Sequence, residues 1–120
     1  MSGIYQQNDI QTPPKLVILY RLEPGCLGPD GLDHIEVFCQ IAQRALATLN
    51  ANICYWQLTP RFDKSLAELQ YSLAGKTLTR DKAAIYVSAC QADLTQLEEF
   101  FEDKLTLLIN RYIARKIPHV

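Results

Sequence analysis

A 120-residue chain with 48% hydrophobic and 21% charged residues is too apolar to stay disordered and long enough for one core without staples. Twelve Lys and Arg against thirteen Asp and Glu, a net charge of −1, exclude the basic face that a nucleic-acid partner leaves on a sequence. The longest apolar run, Leu16 to Tyr20, is far short of the roughly 20 residues a membrane span needs.

Residues 1–14 are polar and close on Pro13-Pro14, which predicts a flexible N-terminal arm. The start has neither a basic region nor an apolar run of the signal-peptide kind, so a cytoplasmic setting is expected. Cys26, Cys39, Cys54 and Cys90 fit that setting as reduced thiols, since none forms a C-x-x-C pair. KLVILYRL, residues 15–22, is apolar at both alternating sets of positions and predicts a strand covered on both faces.

A helix is predicted over 31–49, with Leu32, Ile35, Cys39, Ala42, Leu46 and Leu49 on one stripe, widened by Phe38 and Ala45. Asp30 is its expected N-cap, with Asp33 favouring the positive helix end. ICYWQLTP, residues 53–60, predicts a second strand, again apolar on both faces and ended by Pro60. Residues 65–75 satisfy two patterns. Ser65 with Glu68 makes a capping box for a helix, but Ala67, Leu69, Tyr71 and Leu73 alternate strictly with polar residues. The strand is the expectation, with PRFDKS as a hairpin loop and AGK as a turn into the next helix.

That helix is expected from the N-cap Thr79 to about Cys90, with Asp81 in its first turn. A last helix runs from Asp93 to about Lys116, burying Leu94, Leu97, Phe101, Leu105, Leu108 and Tyr112. Arg111, Arg115 and Lys116 in its final turns are explained by the helix macrodipole. The predicted architecture is a single α+β domain over 15–117, with 118–120 as a tail. It is a two-layer sandwich in the order β-α-β-β-α-α. Its three-stranded mixed sheet has strands one and two parallel through a right-handed crossover, and strand three antiparallel to strand two.

Chemistry concentrates in EPGCLGPDGLDH, residues 23–34. Cys26 lies between a strand and a helix N-terminus, where the dipole and free N–H groups favour a thiolate. Glu23, Asp30 and Asp33 oppose both a thiolate and a bound anion, and Leu32 occupies the place of the arginine in a C-x5-R anion loop. Gly25, Gly28 and Gly31 form neither a P-loop nor a G-x-G-x-x-G order, and Pro24 and Pro29 stiffen the turn. Asp33 and His34, adjacent on a helix, point about 100° apart, so no metal site is expected, and no cofactor.

A catalytic reading of the loop rests on Cys26 as nucleophile with His34, and Asp30 and Asp33 as polar binding groups. Trp56, Tyr20, Tyr55 and Tyr71 supply a second alternative, a pocket for an apolar small molecule. Phe100 and Leu107 lie on one line of the last helix, away from its buried stripe, and mark a surface for a partner. The leading expectation is a domain that acts by binding, its partner a second copy of itself in a homodimer or another protein. Neither nucleic acid nor membrane is expected as a partner.

Overall fold

A computed structural model describes residues 14–116. The expected arm, apart from Pro14, and the tail 118–120 lie outside the described residues. The elements are β1 (Leu16–Leu22), α1 (Ile35–Leu46), β2 (Cys54–Pro60), β3 (Leu69–Leu73), β4 (Lys76–Leu78), α2 (Arg80–Ala89) and α3 (Leu94–Lys116). Single 3-10 turns at Pro24–Leu27 and Gly31–Asp33 link β1 to α1.

Among the described residues the fold is α+β, with three α-helices and an open, mixed sheet of four strands in the order β2-β1-β3-β4. β1 and β2 are parallel, as expected of a β-α-β unit. Two expectations about the sheet are corrected. Lys76–Leu78 is a fourth strand, not part of a turn into a helix, and it pairs antiparallel with β3. β3 pairs with β1, not with β2.

The reason lies in residues 61–68, which are too long for a tight hairpin and bind to the end of β1 instead. Arg61 N–H donates to the Leu22 carbonyl at 2.8 Å, and Arg21 N–H to the Glu68 carbonyl at 2.8 Å. The Arg21 guanidinium donates to the Ala67 carbonyl at 2.5 Å and to Gln70 at 2.9 Å. The chain is thus carried across β1 before β3 begins. Ser65 does not cap a helix; its N–H and hydroxyl both donate to the Asp63 carboxylate, and these bonds hold that carboxyl below its usual range.

One contiguous core joins the sheet to the helices. From the sheet it takes Leu16, Ile18, Tyr20 and Leu22 of β1, Cys54, Trp56 and Leu58 of β2, and Tyr71 of β3. From the helices it takes Phe38, Cys39, Ala42 and Leu46 of α1, Ala83 and Val87 of α2, and Leu94, Leu97, Phe101 and Leu105 of α3. All three helices therefore lie on one face. The helices cover one face only: on the other, Val17 and Leu19 are half-buried, and Tyr55 and Gln57 are exposed.

The helix boundaries follow local chemistry. Thr79 caps α2 as expected, its hydroxyl accepting from Lys82 N–H at 3.2 Å. Asp93 holds the start of α3, accepting from Thr95 N–H at 3.1 Å. α1 begins four residues later than the sequence suggests. The Gly31–Asp33 turn is a 3-10 turn that faces Leu32 outward, 71% exposed, and neither Asp30 nor His34 makes a side-chain cap.

β2 is an edge strand, and α1 closes that edge with one side chain. Gln43 donates from Nε2 to the Trp56 carbonyl and accepts at Oε1 from Leu58 N–H, both at 2.7 Å. A neighbouring strand would engage the same pair, so the carboxamide blocks edge-to-edge pairing. Gln43→Ala is expected to cost about 2 kcal/mol, roughly 1 for each hydrogen bond. It should also give concentration-dependent aggregates in light scattering. Loss of stability without aggregation would assign Gln43 to the fold alone.

Candidate functional site

In the 23–34 loop, Leu27 plugs fully into the core and fixes the first turn. Gly28 has φ 106 and ψ −175, a conformation that glycine adopts freely. At Gly31 a Cβ would lie 1.8 Å from the Pro24 carbonyl oxygen, so this position admits no side chain. Gly25 has open space around it. Two of the three glycines thus answer to backbone geometry.

The candidate catalytic residues have different neighbours. Cys26 sits on the exposed outer side of the loop, beside the carboxylates of Glu23 and Glu68. Its thiol is partly buried, and that burial, then Glu23 and Glu68, push its pKa up. The loop therefore works against a thiolate, contrary to what a helix N-terminus alone would do. Glu68 also accepts from the Tyr20 hydroxyl at 3.2 Å; burial and this carboxylate push that phenol up. Burial raises the inward-facing thiols further, Cys39 to about 12 and Cys54 to about 11, with Lys15 opposing the latter shift.

His34 is held elsewhere, between α1 and α3. Its Nε2 lies 3.5 Å from Asp30 Oδ2, and its Nδ1 lies 2.9 Å from the Tyr112 hydroxyl. With the Nε2 proton facing the carboxylate, Nδ1 is left to accept from Tyr112. The Tyr112 ring stands edge-on to both His34 and Phe38, at centroid distances of 5.7 and 5.4 Å. Asp30, His34 and Tyr112 form a polar chain tying the loop to α3. Asp33 lies in the 3-10 turn, its N–H bonded to the Asp30 carbonyl.

Clefts open among the described residues on the helical side and at the ends of the parallel strands. One, of about 530 Å³, lies between α1 and β2, bounded by Glu36, Gln40, Gln43, Leu58 and Phe62. A second, about 320 Å³, lies across Phe62 from the first, beside Pro24, Leu32 and Lys64 and the Arg61–Glu23 ion pair. A third, about 120 Å³, lies between α1 and α3, with Tyr112 in its wall.

Two outward surfaces complete the inventory. Phe100 and Leu107, the candidate partner residues on α3, are 47% and 42% exposed, so α2 does not cover them. The open face of the sheet carries Val17, Leu19 and Arg21 of β1, Tyr55, Gln57 and Thr59 of β2, Gln70 and Ser72 of β3, and Thr77 of β4. Arg21 is the only charge among these strand residues, and Gln70 and the Ala67 carbonyl engage it.

The apolar residues of this surface were legible in the strand pattern, but which face the helices would leave open was not. Sequence reasoning missed Gln43, since a glutamine on the polar side of a helix carries no signal of an edge contact. Among the described residues no group of three or more His, Cys, Asp and Glu side chains converges on a metal position, and no helix is long and apolar enough to cross a membrane. No protein-family model, curated protein or solved structure matches the chain.

Proposed function

We propose that the protein is an interaction domain that works through the open face of its sheet, with a second copy of itself as partner. The observation that carries this reading is the composition of that face. Val17, Leu19 and Tyr55 form an apolar centre, amides and hydroxyls surround it, and its single charge is already engaged. Depletion of charge around an aromatic and aliphatic centre is the signature of an interface core. A solvated sheet face ordinarily carries Lys and Glu.

The edges support face-to-face contact. Gln43 occupies the β2 edge, and β4 is three residues long and carries Lys76. Strands of seven, seven, five and three residues, rising about 3.3 Å per residue and about 4.8 Å apart, present some 350 Å². That is less than half of what each partner contributes to a standard stable interface, so the dimer is a weak one.

Phe100 and Leu107 give a second reading, in which α3 makes the contact instead; their exposure on one helix line favours it. Light scattering from micromolar to millimolar protein separates the two. Leu19→Lys is expected to hold the chain monomeric throughout, and Phe100→Glu to leave the dimer unchanged. The reverse pattern transfers the interface to α3. A wild-type chain that stays monomeric at about 1 mM removes self-association altogether.

A further inference from the structure

We propose that the 120 Å³ cavity between α1 and α3 is a binding site for a small organic anion, a carboxylate carried on one aromatic ring or a short branched chain. Arg111 and Arg115, one helical turn apart on α3, both line it, over a floor of Phe38, Ile41, Ala42 and Leu108.

The arginines of the chain differ in their partners. Arg61 pairs with Glu23 and Arg80 with Glu98, while Arg21 bonds to Gln70 and the Ala67 carbonyl. Arg111 and Arg115 have no carboxylate partner among the described residues. Like charges four residues apart on a helix repel one another. The macrodipole explains why cations stand near this helix end, but not why two of them border the same cavity. One carboxylate between two guanidinium forks relieves the repulsion and uses the planar donor geometry of both.

The floor is apolar. Ile41 is 54% exposed although it borders the core residues Phe38 and Ala42, so apolar surface waits directly beneath the arginines. Tyr112 in the wall has its hydroxyl engaged by His34 and therefore offers its ring, not a competing polar group. Size then selects the ligand. A cavity of about 150 Å³ lined by aliphatic and aromatic side chains accepts benzene, so 120 Å³ admits at most one ring, with its carboxylate outside among the arginines, or a short branched chain, and not a long acyl tail. Inorganic phosphate or sulfate would satisfy the arginines and leave the floor bare.

The test is a titration of the full chain, uniformly labelled with nitrogen-15, followed by amide chemical shifts. Benzoate is the probe, with benzyl alcohol and benzylamine as controls for the ring without the charge and with the opposite charge. Benzoate is expected to bind saturably with a Kd of about 1 mM or tighter, the scale reached by efficient nine-atom ligands. Its shifts should fall on residues 38–42 and 108–115. Benzyl alcohol should bind at least about tenfold more weakly, since each charge-assisted pair lost is worth about that factor. Benzylamine should not saturate. The double variant Arg111→Gln/Arg115→Gln, at two exposed positions, should keep the wild-type spectrum elsewhere and lose benzoate binding by about tenfold or more. Equal binding of benzoate and benzylamine overturns the proposal, as do shifts mapping to another region, undiminished binding by the double variant, or no saturation by benzoate.

Discussion

Trp56→Ala is expected to cost about 3–5 kcal/mol and to lower Tm by roughly 10–20 °C. Trp56 is fully buried at the centre of the fold, beside Ile18 in the parallel ladder. Its ring stacks on Phe101 of α3, with centroids 4.0 Å apart and planes within 18°. Removing it opens a cavity between the sheet and the longest helix, where neither side can collapse without disturbing the other. Against a total stability of about 5–15 kcal/mol, that loss is a fifth or more of what holds the chain folded. The neighbouring substitution Tyr55→Ala reads the register. Tyr55 points to the open face and is 38% exposed, so its removal should cost about 1 kcal/mol or less. A slip of one residue in β2 would exchange the two results.

Gly31→Ala is expected to destabilise by about 2–3 kcal/mol, and Gly25→Ala by no more than about 0.5. The two glycines sit in the same loop, six residues apart, and look alike in the sequence. In the fold, a Cβ on Gly31 would come within 1.8 Å of the Pro24 carbonyl oxygen and 2.7 Å of its carbon. Both are backbone atoms in a turn anchored by the buried Leu27, so they cannot rotate aside. A Cβ on Gly25 meets nothing within 4 Å. Denaturant midpoints for the two variants measure the difference, and equal midpoints would show that the two 3-10 turns are not packed as described.

The sequence made the long elements legible because their periodicity is strong and local. The stripe from Leu94 to Leu105 is buried as its spacing implies, and Thr79 caps α2 as its place before Arg80-Asp81 suggests. The β3–β4 hairpin was hidden by its turn. Ala74 and Gly75 both have positive φ, yet alanine is not a residue that announces such a turn, and β4 is too short to alternate. The partner of β3 was hidden for another reason: Arg21 and Arg61 fix it through contacts distant in sequence. Val17, Leu19 and Tyr55 read as core because apolar strand residues normally find a cover, and here the three helices all chose the other face.

The candidate loop was legible as a place and not as a constellation. Cys26 and His34 share twelve residues of sequence, but the partner that fixes His34 is Tyr112, at the far end of α3. Cys26 faces Glu23 and Glu68 instead, and their charge together with burial explains why its thiol is pushed up and not down. Capping was misplaced for a related reason. The turn at Gly31–Asp33 is 3-10, which leaves Asp30 to meet His34 four residues on instead of a helical N–H.

The central claim, that the open sheet face is where two copies meet, is tested most directly by isotope-filtered nuclear Overhauser spectroscopy. The sample is an equal mixture of carbon-13-labelled and unlabelled protein at about 1 mM, high enough to populate a weak dimer. The account predicts intermolecular contacts that join the methyl groups of Val17 and Leu19 to the ring of Tyr55. Intermolecular contacts confined to Phe100 and Leu107, or none from Val17, Leu19 and Tyr55, would contradict it.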